Sequence, residues 1–86
     1  MALKRQEFHR TRKGNLTVRD DRWSVLLDTA TDRVSVEHWW AHVDPETGRP
    51  LLEDKHVYSL EEFAITELGQ ELQGKLRPAI DSIQKA

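Results

Sequence analysis

The feature that most constrains this chain is a two-residue alternation of apolar side chains on both sides of a short polar break. Trp23, Val25 and Leu27 precede residues 29–32, and Val34, Val36 and Trp40 follow them, with His38 in phase. Alternation rich in β-branched and aromatic residues specifies strands with one buried face. The break, Thr-Ala-Thr-Asp, has the composition of a four-residue hairpin loop. Closing it with Asp28 opposite Arg33 sets Leu27 against Val34 and Val25 against Val36.

Two further turns extend this hairpin. Asp20 and Asp21 form a two-residue loop without the usual glycine, placing Arg19 opposite Arg22, Val18 beside Trp23 and Leu16 beside Val25. Both registers send Leu16, Val18, Trp23, Val25, Leu27, Val34, Val36 and Trp40 to one face, and a slip of one residue in either would invert a strand. Residues 44–48 form the third loop, in which Pro45 presets φ, Gly48 takes the left-handed position and Asp44 lies opposite Arg49. Strands are therefore expected at about 15–19, 22–28, 33–43 and 51–58.

Beyond them, Ser59 and Glu62 fit a capping box. Leu60, Phe63, Ala64, Leu68, Leu72, Leu76, Ile80 and Ile83 then recur at helical steps. Gly69 and Gly74 each cost a helix interior about 1 kcal/mol relative to alanine. Pro78 disfavours helical geometry at Arg77, so the spacing predicts helices over 60–76 and 78–84 with a break between them. The expected fold class is α+β: a four-stranded antiparallel β-meander with one face covered by a C-terminal helix, in two layers.

An 86-residue chain has room for one core. It lacks cysteine, which excludes disulfides, thiolate metal sites and a cysteine nucleophile. The start lacks the apolar segment of a signal peptide, and no apolar run approaches the about 20 residues of a membrane span, so a cytoplasmic setting is expected. Residues 1–22 carry seven bases against three acids, and residues 23–86 carry six bases against twelve acids. With few apolar residues, 1–14 read as a basic flexible N-terminal tail and 15–86 as a single domain.

Adjacent Trp39 and Trp40 point to opposite faces of a strand, and one helix cannot cover both. The registers put Trp39, Ala41, Val43, Leu52 and Tyr58 on the open face. An exposed aromatic and aliphatic cluster of this kind anchors partners. The function expected is thus a small non-catalytic protein–protein interaction module that pairs with a second copy. Trp39, Val43, Leu52 and Tyr58 are its contact residues, with Arg22, Glu37 and His56 at the rim. The alternative is a nucleic-acid-binding accessory protein whose arm uses Lys4, Arg5, Arg10, Arg12 and Lys13, with Phe8 and His9 stacking on bases.

A remoter alternative is a metal-binding domain using the sheet histidines. His38 and His42 are too far apart on a strand, about 13 Å, to share an ion. A slip of one residue in the third hairpin places His38 opposite His56 near Asp54 and His42, whereas the preferred register places His56 opposite Glu37. No metal, cofactor, small-molecule substrate or membrane is expected. Ser24, Ser35 and Ser82 have no nucleophile context and Ser59 is a cap, so no catalysis is expected.

Overall fold

The computed structural model describes residues 3–14 and 18–85. Four strands, β1 (Leu3–Lys13), β2 (Val18–Asp28), β3 (Arg33–Val43) and β4 (Pro50–Ser59), form one antiparallel sheet in the order β1-β2-β3-β4. Three helices follow, α1 (Leu60–Ala64), α2 (Glu67–Glu71) and α3 (Gln73–Lys85), and pack on one face. The architecture is the expected two-layer α+β meander.

The central hairpin has the register its sequence specifies, from Asp28 opposite Arg33 through Val25 opposite Val36. Its loop is held by side chains: Asp28 Oδ1 accepts the Ala30 N–H at 2.9 Å and Thr31 Oγ1 accepts the Arg33 N–H at 3.3 Å. Asp32 takes the left-handed conformation at φ 56°, which Asp tolerates better than most residues.

Residues 3–13 are not a tail but strand β1, and β2 runs without a break through Asp20 and Asp21, where a turn was expected. β1 and β2 pair as far as Lys13 opposite Arg19, and Gly14, which follows β1, has φ 118°. Of the strand expected at 15–19, residues 15–17, Leu16 included, lie outside the described residues. With no turn at Asp20, Val18 falls on the face opposite Trp23, and Arg19 joins the helix-facing side. β1 escapes an apolar-alternation test because its outer partners are charges, and because a bulge at Phe8 interrupts its period. Glu7 lies opposite Ser24 and His9 opposite Trp23. The extra residue lets Phe8 meet Phe63 edge-on at 6.1 Å while His9 lies against Trp23 at 5.1 Å.

The third loop forms as expected, with Gly48 at φ 73° and the Asp44 N–H donating to Arg49 O at 3.0 Å. Beyond it a second bulge intervenes. Val43 pairs with Pro50 and His42 with Leu52, so Leu51 is inserted and the rest of β4 moves by one residue. His38 therefore faces His56, Trp40 faces Asp54, and Val57 rather than His56 lies opposite Glu37.

The helical segment breaks at 65–66 and at Leu72, not at 77–78. Ser59 and Glu62 form the capping box in both directions, at 3.1 Å each. Thr66 then caps α2: its hydroxyl accepts the Gly69 N–H at 2.9 Å and donates to Phe63 O at 2.6 Å. Pro78 sits inside α3. It removes the bond to the Gly74 carbonyl, but Gly74 and Pro78 are both exposed, so that carbonyl faces water. Leu72, Leu76, Ala79 and Ile83 continue one buried stripe against Trp23, Val25, Leu27, Val36 and Phe63.

This cover is partial. Toward the sheet end near the 29–32 loop Val25, Leu27 and Val36 are buried and Val34 is half-buried. At the other end Trp40 and His42 are half-buried, and Leu52 and Asp54 are exposed.

Candidate interaction surface

The face without helices is covered by its own arginines. Arg5 Nη2 donates to Glu37 Oε2 at 3.0 Å. Arg10 clasps Asp20 with Nε at 3.2 Å and Nη2 at 3.1 Å, and Arg22 Nη2 donates to the same carboxylate at 3.1 Å. The Arg22 guanidinium also lies 4.8 Å from the centre of the Trp39 ring, within cation–π range. Beneath these side chains Asp20, Ser24, Leu26, Glu37, Ala41 and Val43 are buried. A depression of about 580 Å³ remains, lined by Arg5, Arg22, Ser24, Glu37, Trp39 and Lys55 among others. Its size falls within the usual range for ligand pockets, which the sequence did not anticipate. Arg22 Nε is buried without a hydrogen-bond partner among the described residues, its Glu7 neighbour being 3.9 Å away.

Asp20 carries an acid-stability prediction. Burial pushes its pKa up, and the hydrogen bonds and charges of Arg10 and Arg22 more than offset this, so it stays below the ordinary carboxylate value. A group with a depressed folded pKa stabilises the fold above its unfolded value, near 3.9, and loses that contribution as pH falls through the folded value. Glu62 is shifted the same way by its hydrogen bonds with Ser59. The urea midpoint is expected to hold from pH 7 to about 5 and to fall below about 4. Asp20→Asn should flatten part of that fall; an unchanged acid limb in the variant would refute the role of Asp20.

On the helix-facing side, the uncovered end gathers rings and charges. The His38 ring stacks on Trp23 at 4.5 Å with an interplanar angle of 4°, and its Nε2–H donates to Asp21 Oδ1 at 2.8 Å. Arg19 grips Asp21 from beside it through Nε and Nη2, at 3.0 to 3.3 Å. His56 lies edge-on to Tyr58 at 4.4 Å. The register that brings His38 and His56 together is thus the slipped one, yet the Asp21 carboxylate already occupies His38 Nε2. Among the described residues no group of three or more His, Cys, Asp or Glu side chains is placed to hold a metal ion.

The seven expected contact residues do not share a face. Trp39, Val43, Arg22 and Glu37 lie on the side without helices, whereas Leu52, His56 and Tyr58 lie on the helix side. The bulge at Leu51 separates them. Val43 is only 5% exposed, and Arg22 lies over Trp39, so the expected apolar patch around that tryptophan is absent. The proposed basic arm is fixed in β1, where Arg5 and Arg10 are engaged by Glu37 and Asp20. By register, Arg12 shares their face while Lys4 and Lys13 lie on the other.

Among the described residues three of the five exposed large apolar side chains lie on β4, which the sequence showed only as the weakest strand pattern; the others are Leu3 on β1 and Ile65 after α1. Eight of its ten residues are exposed. Leu51 and Leu52 are 68% and 67% exposed and Val57 48%. β4 is an edge strand, hydrogen-bonded to β3 alone. The other edge, β1, is bulged at its middle and studded with Lys and Arg, both of which discourage strand addition. On β4 the bulge and Pro50 are confined to the start, leaving a regular run from Leu52 to Ser59.

Among the described residues no helix is long and apolar enough to cross a membrane. No protein-family model matches the sequence, and no curated protein or solved structure matches it.

Proposed function

We propose that the chain is a cytoplasmic, non-catalytic protein–protein interaction module whose working element is the free edge of β4, to which a second copy adds its own β4. The observation that carries this reading is the edge itself: ten residues long, almost wholly exposed, with Leu51, Leu52 and Val57 uncovered. Backbone N–H and C=O groups along such an edge face solvent, the Lys55 and Ser59 N–H groups donating to Asp54 Oδ1 and Glu62 Oε1, and strand addition satisfies the rest while removing apolar area from water. That area contributes about 25 cal/mol per Å² before the cost of association. The absence of cysteine accords with a reducing compartment.

Light scattering on a sizing column tests the proposal. A mass of about twice the 10.0 kDa of one chain is expected. The double variant Leu51→Lys/Leu52→Lys should return to the mass of a single chain with an unchanged far-ultraviolet spectrum, because neither side chain is in the core. A wild-type protein that stays a single chain up to several hundred micromolar overturns self-association.

A further inference from the structure

The choice of register rests on the strand pairing proposed as the function, and the sequence of β4 discriminates among the possible registers. Two copies of one strand, side by side and antiparallel in a continuous sheet, are related by a two-fold axis normal to the sheet. Both helix layers then lie on the same side, and residues that meet across the axis come from the same face. Candidate registers therefore differ by which residue meets its own copy.

Each centre has consequences that follow from side-chain chemistry. With Glu53 on the axis, two carboxylates oppose one another and Leu52 meets Asp54. With Asp54 there, two short carboxylates lie directly opposite, where Cβ atoms are only about 4.5–5.5 Å apart. Pro50, which has no N–H to donate, is then drawn into the ladder opposite Tyr58. With His56 on the axis, Asp54 meets Tyr58, and Leu51 and Leu52 are left beyond the paired segment.

We infer that two copies join with Lys55 on the two-fold axis. His56 then lies opposite the partner's Asp54, and Leu52 opposite the partner's Tyr58, each pair occurring twice by symmetry. Every residue from Leu52 to Tyr58 is paired, with the bulged Leu51 and the α1 cap Ser59 at the two ends and Pro50 outside. The two Lys55 ammonium groups end long flexible stems, and each has the partner's Glu53 as its diagonal neighbour.

The same operation accounts for the half-covered sheet. α1 follows β4 directly and packs on β4 and β3. Antiparallel pairing brings the partner's Ser59 beside Leu51. The partner's α1 thus arrives on the helix side, at the end where Trp40, His42 and Leu52 lack cover. It carries Ile65, 79% exposed in the single chain, at its C-terminal end.

The test is a charge exchange read as the dimer dissociation constant at pH 5.5, where an ordinary imidazole carries its proton. Asp54→His and His56→Asp each place like groups opposite one another twice and should weaken the dimer about tenfold, as two exposed ion-pair reversals imply. The double variant restores both pairs and should return to within about threefold of wild type. A dimer in which the double variant is no better than the singles overturns this register while leaving strand pairing intact. A wild-type chain that never dimerises overturns both. Because the chain has no cysteine, the single variants Glu53→Cys, Asp54→Cys, Lys55→Cys and His56→Cys give a second reading. With dissolved oxygen and a copper–phenanthroline catalyst as the oxidant, Lys55→Cys should form the disulfide-linked dimer at least ten times faster than the others, and a fastest cross-link at another position names a different centre.

Discussion

Trp23→Ala is expected to lower stability by about 4 kcal/mol, the usual cost of removing a large buried aromatic side chain. For a domain of this size that corresponds to a fall of about 15–30 °C in Tm. Trp23 is the tryptophan in the core: it is buried, packs with the helix layer, stacks on His38 and touches His9. Trp40→Ala should cost about 1–2 kcal/mol, since that side chain is only partly buried. Trp39→Ala should cost about 1 kcal/mol, mainly the stack with Arg22. Urea unfolding followed by circular dichroism, at one protein concentration so that association does not shift the midpoints, ranks the three. The sequence alone put Trp40 with the core set. If Trp40→Ala proves as costly as Trp23→Ala, the helix layer reaches over Trp40 and the cover of the sheet is not partial.

That contrast shows what a period-two pattern conveys. It assigned Trp23, Val25, Leu27, Val34 and Val36 to the helix face correctly, because Val25 and Leu27 face Val36 and Val34 across a regular hairpin and Trp23, opposite His38, keeps their phase. It could not convey how far along an eleven-residue strand the helix layer reaches. It also failed at the two bulges, since an inserted residue has no compositional signature when both its neighbours suit a strand. Leu51 beside Leu52 carried a hint, because two adjacent leucines cannot both face one side of a regular strand. Phe8 beside His9 carried a weaker one. β1 was missed for another reason: a strand whose outer face meets Glu37 and Asp20 needs arginines, not valines, and so resembles a soluble tail in composition. Asp20 and Asp21 look like a turn for the same cause, although Asp20 is buried between Arg10 and Arg22 and Asp21 is held by Arg19 and the His38 ring. The seven expected contact residues therefore divided between two faces, and the uncovered edge went unseen, because edge status belongs to topology rather than to any one residue.

Gly69 and Gly74 are alike in the sequence, each an apparent helix-interior glycine, yet alanine is expected to act in opposite directions at the two. At Gly69 a Cβ would overlap Phe63 O and lie 2.9 Å from Thr66 Oγ1. Phe63 O also accepts both the Thr66 hydroxyl and the Thr66 N–H, so relieving the clash means surrendering the cap that separates α1 from α2. Overpacking against backbone together with a lost cap makes about 3 kcal/mol a reasonable cost. The shift would fall on Phe63, whose ring is among the most buried side chains of the core. At Gly74 a Cβ meets nothing within 4 Å, and the backbone is already helical and exposed. There alanine should stabilise by about 0.5–1 kcal/mol through reduced freedom of the unfolded chain. Paired urea titrations of Gly69→Ala and Gly74→Ala measure the difference, expected to be about 4 kcal/mol. Shifts of the same sign would mean that the close approach of α2 to the Phe63 carbonyl does not hold the helices in place.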